Sequence, residues 1–346
     1  MNILVIGGTG FISNRLVQHL ISAGYTVTAL TRGVTRRPLP EGVEVLTADR
    51  AVELSLTSVL RNRTFDAVFD MVAYNREESA AAVRVLKGKV GRFIHCSTIS
   101  VYMVSDQVEC PITEDQHRAP LMDFWPRNPF GMDYGIKKRE CEDVLWEAHD
   151  ERDFPVSMLR PTFVSGPGDP AQRDHFWIER FLDGQPLLVP GKGRFAFQQV
   201  FIEDVARAFV SLLDHPSSMG KAYNVASEEV YTLNQYLMML ADLLEKMPDI
   251  VHVDQEAFDN LPFSQHPQGD VFPFNVRHTA TFSLRRIKAD MGFRSTPFRA
   301  WMPQTISWFT TRQGHHSVGY ERREEEITFA QRWRKLKPPV SPEVER

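Results

Sequence analysis

Tyr134 and Lys138, four residues apart in Tyr-Gly-Ile-Lys-Lys, have the side chains and spacing best suited to proton chemistry. On a helix, residues i and i+4 share one face and lie about 6 Å apart along the axis. The lysine charge favours the phenolate, so we expect it to lower the pKa of Tyr134 toward neutrality. Such a phenol can exchange a proton with a substrate hydroxyl or carbonyl while hydride moves to or from a nicotinamide. The alternative interpretation is an ordinary pair on a helix surface.

Two hydroxyl residues, Ser97 and Thr98, follow the apolar run that begins at Phe93. This run predicts a buried strand, and the carboxyl ends of such strands face the ligand crevice of a parallel sheet. We therefore expect Thr98 to hydrogen-bond the substrate oxygen, with Ser97 as the second choice for substrate contact.

A glycine-rich turn follows the first predicted strand and reads Gly-Gly-Thr-Gly-Phe-Ile-Ser from Gly7 to Ser13. Gly7 permits a tight turn, Gly10 has no Cβ to block a phosphate, and the helix that starts at Phe11 and Ile12 directs free N–H groups at the anion. The turn thus predicts binding of a dinucleotide pyrophosphate. Ser13 replaces the usual third glycine, and we expect a slightly wider helix–strand approach without loss of function.

The end of the second predicted strand carries arginine where a carboxylate would favour NAD. Arg32 stands there, followed by Arg36 and Arg37, and arginine can hold a 2′-phosphate through two hydrogen bonds. We therefore favour NADP over NAD, with a solvated arginine loop as the alternative. Asp49, after the third strand, is equally compatible with accepting a hydrogen bond from the adenine amino group and with a turn aspartate.

Short apolar strands alternate with amphipathic helices through the first half of the chain. This pattern predicts an α/β fold with a doubly wound parallel sheet, the Rossmann arrangement, and a smaller C-terminal α+β substrate-binding lobe. We assign residues 1–165 mainly to the dinucleotide-binding domain and 166–320 mainly to the lobe. Segments at about 199–213 and 222–226 return to the main sheet, and 321–346 form a charged C-terminal tail.

The bulk composition is that of an ordinary globular enzyme, with a net charge of −4 over 346 residues and 42% hydrophobic residues. This balance gives no reason to expect nucleic acid or membrane partners. Three irregularly spaced cysteines indicate reduced thiols, and His315 and His316 are too close together for a metal site, so we expect no metal. With no membrane-length apolar run and no room for a leader before the first strand, we expect a cytoplasmic protein.

Six segments together resemble the extended short-chain dehydrogenase/reductases, specifically the NAD(P)-dependent epimerase/dehydratase group. The resemblance covers about residues 1–309, and the segments are GGTGFIS (7–13), CSTISVY (96–102), YGIKK (134–138), LRPTFVSGPGD (159–169), FIEDVARAF (201–209) and YNVASEEVYTLNQYL (223–237). It implies a catalytic set of Thr98, Tyr134 and Lys138, nucleotide-activated sugar substrates and a homodimer. We expect Lys138 to hold the nicotinamide ribose, and Arg50, Ala73 and Pro161 to line the cofactor site.

The chain departs from the family pattern at positions that affect the substrate. Asp70-Met-Val-Ala73 replaces the usual His-x-Ala, and Phe197 stands where an arginine often binds the diphosphate. Arg194 is a candidate substitute for that arginine, or a solvated loop residue. The acid/base pair of a dehydratase usually stands where this chain has Ile99 and Ser100, so a dehydratase is disfavoured. Glu114 and Asp115 are expected to lie in a solvated loop.

Three functions remain open at this point. The first is a sugar-nucleotide epimerase that works by transient hydride transfer, and the second is an NADPH-dependent reductase of a keto-sugar or other carbonyl. The third is an RNA-binding protein, because Thr31-Arg32-Gly33 resembles a branch of chloroplast stem-loop-binding proteins.

Overall fold

A seven-stranded, all-parallel sheet forms the centre of the first of two compact units. The computed structural model describes residues 1–35, 37–123, 132–151, 154–263, 265–266, 269–312 and 314–337. The first unit comprises Met1–Val164, Gln198–Glu228 and Thr281–Thr296. In chain order its sheet strands are β1 (Asn2–Ile6), β2 (Thr26–Thr31), β3 (Glu44–Thr47), β4 (Ala67–Asp70), β5 (Phe93–Cys96), β6 (Val156–Pro161) and β7 (Ala222–Val225). They lie side by side as β3-β2-β1-β4-β5-β6-β7.

Helices cover both faces of this sheet. They are α1 (Phe11–Ser22), α2 (Glu53–Leu60), α3 (Arg76–Leu86), α4 (Met132–Asp150), α5 (Ile202–Asp214) and α6 (Arg285–Met291). On one face Val68 and Phe93 pack with Leu86 and Leu145 of α3 and α4. On the other, the ring of Phe69 lies 6.1 Å from that of Phe209 on α5. Burial on both faces explains why the strands are apolar throughout instead of alternating.

The predicted doubly wound α/β fold is confirmed. The strand order reverses between β1 and β4, and ligands of such sheets bind outside the carboxyl ends of the strands at that point. Short elements complete the unit and its chain junctions: the strands Phe163–Ser165 and Gln199–Phe201, and the 3₁₀ turns Ile99–Val101, Glu114–Arg118 and Pro216–Ser218.

The second unit comprises Ser165–Phe197, Glu229–Ala280 and Pro297–Arg346. Its helices are Arg173–Leu182, Leu233–Leu244, Gln255–Asp259, Phe298–Thr310 and Arg323–Leu336, with a 3₁₀ turn at Tyr320–Arg322. Three two-stranded pairs join Leu187–Pro190 to Ile250–Val253, Ala196–Phe197 to Tyr231–Thr232, and Gln265–His266 to Gly269–Asp270. Its core contains stacked and edge-on aromatic rings, including Phe197 on Phe274 at 4.8 Å.

The charged segment that begins at residue 321 is an integral part of the second unit as far as residue 337. Its helix, Arg323–Leu336, supplies Glu326, which pairs with Arg180 at 2.5 Å, both side chains being essentially unexposed. Arg323 also pairs with Asp183 at 2.8 Å. Of the expected tail, residues 338–346 lie outside the described residues. Among the described helices, none has the length and apolar character that a membrane crossing requires.

Candidate active site

The glycine-rich turn between β1 and α1 has the shape expected of a phosphate cradle. Gly7 has φ +86°, and a Cβ there would lie 2.5 Å from a methyl carbon of Val72. No residue with a side chain fits this position without strain and steric conflict. Within the described residues, the backbone N–H groups of Phe11 and Ile12 have no hydrogen-bond partner. Donors at a helix start suit an anion, so the turn fits a dinucleotide pyrophosphate.

Ser13 does more than replace a glycine in this turn. Its buried hydroxyl donates to the carbonyl of Gly7 at 2.5 Å and accepts from the N–H of Gly10 at 2.9 Å. The serine therefore bridges the two ends of the turn, and the Gly10 N–H is already bonded. These hydrogen bonds explain how the turn closes without the third glycine, and the expected wider helix–strand approach stays a prediction.

The predicted ribose and adenine residues occupy different environments. Arg32 is exposed just after β2, and the guanidinium of Arg37 lies 5.6 Å from the ring of Phe11 at the start of α1; Arg36 lies outside the described residues. One carboxylate oxygen of Asp49 accepts from the N–H of Ala51 at 3.0 Å, which is the turn role considered for it. That bond leaves the second oxygen for other contacts.

Arg50 is buried and forms an ion pair with Asp70 at the end of β4. A second carboxylate, Glu78, lies 3.9 Å from its Nη1. The sequence showed that Asp70-Met-Val-Ala73 replaces the usual His-x-Ala, but it did not predict that Asp70 pairs with Arg50. The contact of Arg50 with a cofactor remains a prediction.

Thr98, Tyr134 and Lys138 come together at the carboxyl end of β5. The hydroxyls of Thr98 and Tyr134 are hydrogen-bonded, and the Tyr134 side chain keeps 39% of its surface exposed. Lys138 is 2% exposed, and its Nζ donates to the carbonyls of Ala73 and Cys96, each at 2.7 Å. Of the other predicted cofactor residues, Pro161 ends the adjacent strand β6. The first unit thus brings together one accessible phenol, one hydroxyl and one buried ammonium.

The expected lowering of the Tyr134 pKa is wrong for this structure. Burial is the main reason that its pKa is raised, and neighbouring Cys96 and Tyr74 add to the effect, while the hydrogen bond from Thr98 opposes it. Lys138 donates from its ammonium to two backbone carbonyls, and these hydrogen bonds direct two of its N–H groups away from Tyr134. The i, i+4 spacing correctly placed Tyr134 and Lys138 near each other. It could not show that the Lys138 ammonium donates to the carbonyls of Ala73 and Cys96.

Ser97 points into the protein, which corrects its assignment to substrate contact. It is 3% exposed, and its hydroxyl donates to Glu142 at 2.5 Å. Glu142 also accepts two hydrogen bonds from Arg160, at 2.8 and 2.6 Å, and both side chains are buried. The trio joins β5, β6 and α4, the elements that carry or flank the predicted catalytic set. Sequence reasoning missed Glu142 and Arg160, although charged residues at buried positions of α4 and β6 were the available signal.

Glu114 is buried, contrary to its expected place in a solvated loop. It is 4% exposed and accepts from the backbone N–H of Asn224 at 3.0 Å, whereas Asp115 is exposed and pairs with Arg286 at 2.8 Å. Asn224 also accepts from Tyr102 at 2.7 Å. Glu114 therefore closes a buried polar network instead of lying in solvent.

The remaining substrate candidate, Arg194, belongs to the second unit, and its contact with a substrate stays a prediction. It is exposed, and its charge adds to burial in lowering the pKa of His252. Phe197 is buried in the aromatic core, so the position has a packing role in this chain. Tyr74 is the clearest residue that sequence reasoning missed, since its ring lies 6.5 Å from that of Tyr134.

Comparisons with known proteins identify the family to which the chain belongs. The model of the NAD dependent epimerase/dehydratase family matches residues 3–226. The chain is 26% identical over 315 residues to the 41 kDa chloroplast stem-loop binding protein b of Arabidopsis thaliana, covering 84% of this chain and 74% of that protein. It is 27% identical over 262 residues to UDP-glucose 4-epimerase of Vibrio cholerae, covering 71% and 76%.

A solved structure has a similar fold over most of the chain. The UDP-glucuronic acid 4-epimerase of Bacillus cereus, in complex with UDP-glucuronic acid and NAD, superposes with a TM-score of 0.69 at 18% identity, covering 90% of this chain and 99% of that one. The family match spans the pyrophosphate turn, Thr98 and the Tyr134–Lys138 pair. The chain therefore belongs to the NAD dependent epimerase/dehydratase family of oxidoreductase- and isomerase-type enzymes.

Proposed function

We propose that this protein is a nicotinamide-dinucleotide-dependent epimerase of a nucleotide-activated sugar. The observation that carries the proposal is the meeting of Thr98, Tyr134 and Lys138 at the carboxyl end of β5, in the same unit as the pyrophosphate turn. The epimerases of Vibrio cholerae and Bacillus cereus support the substrate class, since their names specify UDP-sugars.

Tyr134 exchanges the proton in this proposal. Its phenol is accessible and hydrogen-bonded to Thr98, so the two hydroxyls can hold one substrate oxygen between them. Oxidation requires Tyr134 to accept the hydroxyl proton, and return of hydride to the opposite face requires it to give the proton back. Lys138 supplies a buried positive charge that stabilises a developing phenolate and can bind ribose hydroxyls.

We propose a dinucleotide cofactor because residues of the first unit are suited to hold its pyrophosphate. The unbonded N–H groups of Phe11 and Ile12, with Gly7 and Gly10, would hold the pyrophosphate. A bound nicotinamide would accept and return the hydride. NADP remains our preference over NAD because Arg32 follows β2 without a carboxylate, and the test is the ratio of NADPH to NADH affinity. The NAD in the Bacillus cereus epimerase makes NAD the alternative.

A second candidate, a carbonyl reductase, is favoured by one observation. Burial raises the pKa of Tyr134 further above neutrality, which makes removal of its proton, the condition for an epimerase to begin, more costly and favours proton donation. A reductase needs a donor first, whereas an epimerase needs an acceptor first. The two are distinguished by cofactor use, because only a reductase consumes NADPH during turnover.

The experiment is product detection by NMR with UDP-glucose, UDP-glucuronic acid and UDP-N-acetylglucosamine as probes, alongside absorbance of the reduced cofactor. We expect Tyr134→Phe to lower turnover about 10²- to 10⁴-fold while cofactor affinity stays close to that of the wild type. The neighbouring Lys137→Met is the matched control, because Lys137 is exposed on α4. Unchanged turnover in Tyr134→Phe, or salt-dependent stem-loop RNA binding by a protein that holds no dinucleotide, would refute the proposal.

A further inference from the structure

A second phenol, Tyr74, shares the cluster with Tyr134 and Lys138. It follows Ala73, four residues beyond the end of β4. Its ring centroid lies 6.5 Å from that of Tyr134 and 5.4 Å from Nζ of Lys138. The side chain is 50% exposed, so a ring in contact with two proposed catalytic residues also borders solvent.

The surroundings of Nζ explain what this ring contributes. Two of the three N–H groups on a lysine ammonium can be assigned to the carbonyls of Ala73 and Cys96. The face of Tyr74 lies within the distance at which a cation is attracted to an aromatic ring. Because Lys138 is 2% exposed, its charge is surrounded by protein groups, and these three are among them.

The position of Tyr74 is fixed by its backbone. Its N–H donates to the carboxylate of Glu78 at 2.6 Å, and the next residue, Asn75, caps α3 by accepting from the N–H of Glu78 at 3.0 Å. The ring is therefore presented from the start of a helix. Partial burial of the phenol and the nearby Cys96, Glu78 and Asp70 raise the Tyr74 pKa, so the ring faces the ammonium as a neutral phenol.

We infer that Tyr74 is a positioning residue of the catalytic centre: its ring holds the Lys138 ammonium beside Tyr134 and thereby sets how that ammonium engages the ribose of a bound nicotinamide cofactor. The inference rests on the proposed function for its cofactor, but the ring–ammonium contact belongs to the protein alone. The two parts can therefore be tested separately.

The contact is tested without any ligand. The measurement is an NMR spectrum of protein labelled with ¹⁵N at lysine Nζ. The resonance of the buried Lys138 ammonium is assigned as the one that is absent from the spectrum of the Lys138→Met variant. We expect Tyr74→Leu to move this resonance by removing the ring current, and Tyr74→Phe to leave it nearly in place. Tyr25→Leu is the matched control, because this partly buried tyrosine precedes β2 at the amino end of the parallel strands, whereas Tyr74 follows the carboxyl end of β4. A resonance that Tyr74→Leu does not move overturns the inference.

The consequence is tested by titrating cofactor-free protein with NADH and following its fluorescence. Tyr74→Leu should weaken binding about five- to tenfold, and Tyr74→Phe should restore most of the affinity. Tyr74→Leu should have little further effect in a Lys138→Met background, since the ring acts through the ammonium. A merely structural role for Tyr74 predicts equal losses in both backgrounds, and that result overturns the inference.

Failure of the proposed function gives a different pattern. Wild-type protein that binds neither NADH nor NADPH, with an intact effect of Tyr74→Leu on the Lys138 resonance, refutes the cofactor assignment and with it the ribose part of the inference. Binding that is normal in the wild type and unaltered by Tyr74→Leu refutes the inference alone.

Discussion

At the scale of single residues, the proposed catalytic cluster shows how much a side chain depends on its hydrogen-bond partners. Tyr134 and Lys138 share a location, yet the lysine donates to backbone carbonyls and the phenol has a raised pKa. Ser97 and Thr98 are adjacent in sequence, but only Thr98 contacts Tyr134, because successive residues at a strand end point to opposite sides.

Ser13 provides a prediction at this scale. Ser13→Ala removes the bonds to Gly7 and Gly10, so we expect the free energy of unfolding to fall by about 1 kcal/mol. NADH affinity should change by less than about threefold, because the N–H groups of Phe11 and Ile12 are untouched. Urea unfolding and NADH titration measure the two effects.

Ser55→Ala is the matched control for Ser13, since the Ser55 hydroxyl also accepts a backbone N–H, from Asp49 at 3.0 Å. Similar stability losses are expected in the two variants. A loss of NADH affinity above about tenfold in Ser13→Ala alone would show that the hydroxyl contacts the cofactor.

At the scale of elements, two buried Arg–Glu pairs tie segments together in different units. Arg160–Glu142 connects β6 to α4 and, through Ser97, to β5. Arg180–Glu326 connects the helix Arg173–Leu182 to the helix Arg323–Leu336. Each pair needs both partners, because a single buried charge left without compensation is strongly unfavourable.

These pairs provide a prediction with an internal control. We expect Glu142→Gln and Glu326→Gln each to lower the free energy of unfolding by about 3–5 kcal/mol, measured by urea unfolding. Only Glu142→Gln should also lower turnover in the UDP-sugar assay, because Glu142 holds the strand end that carries Thr98. Equal turnover in the two variants, at a temperature where both are folded, would show that the Arg160–Glu142 pair does not position the catalytic set.

At the scale of the whole molecule, charge disfavours the RNA-binding alternative. The net charge is −4, whereas non-specific RNA affinity comes from clustered cations that neutralise phosphates. The name of the Arabidopsis thaliana relative describes a stem-loop binding protein, but this chain has an accessible Tyr134 next to Thr98 and Lys138. The homodimer and the cytoplasmic location remain predictions.

Buried carboxylates predict the response of the molecule to acid. Burial opposes ionisation of Glu142, but the charge of Arg160 and hydrogen bonds from Arg160 and Ser97 outweigh it and lower its pKa. A pKa that is lower in the folded state stabilises the protein above the unfolded-state pKa, about 4.3 for glutamate, and this stability is lost as the pH falls below that value. Urea unfolding from pH 7 to 3 should therefore show a decline that is shallower in Glu142→Gln. Parallel declines in the variant and the wild type would contradict this origin.

The sequence by itself determined the sheet, the pyrophosphate turn and the neighbourhood of Thr98, Tyr134 and Lys138. Each follows from a local pattern: a buried apolar run, a glycine turn before a helix, or an i, i+4 spacing. The tertiary structure alone decided that Glu114 is buried, that Ser97 binds Glu142, that Arg50 pairs with Asp70 and that Tyr74 reaches Lys138. These contacts join residues 20 to 110 positions apart in the sequence. Which of these residues meet depends on the strand order and the helix packing, and no local sequence pattern specifies either.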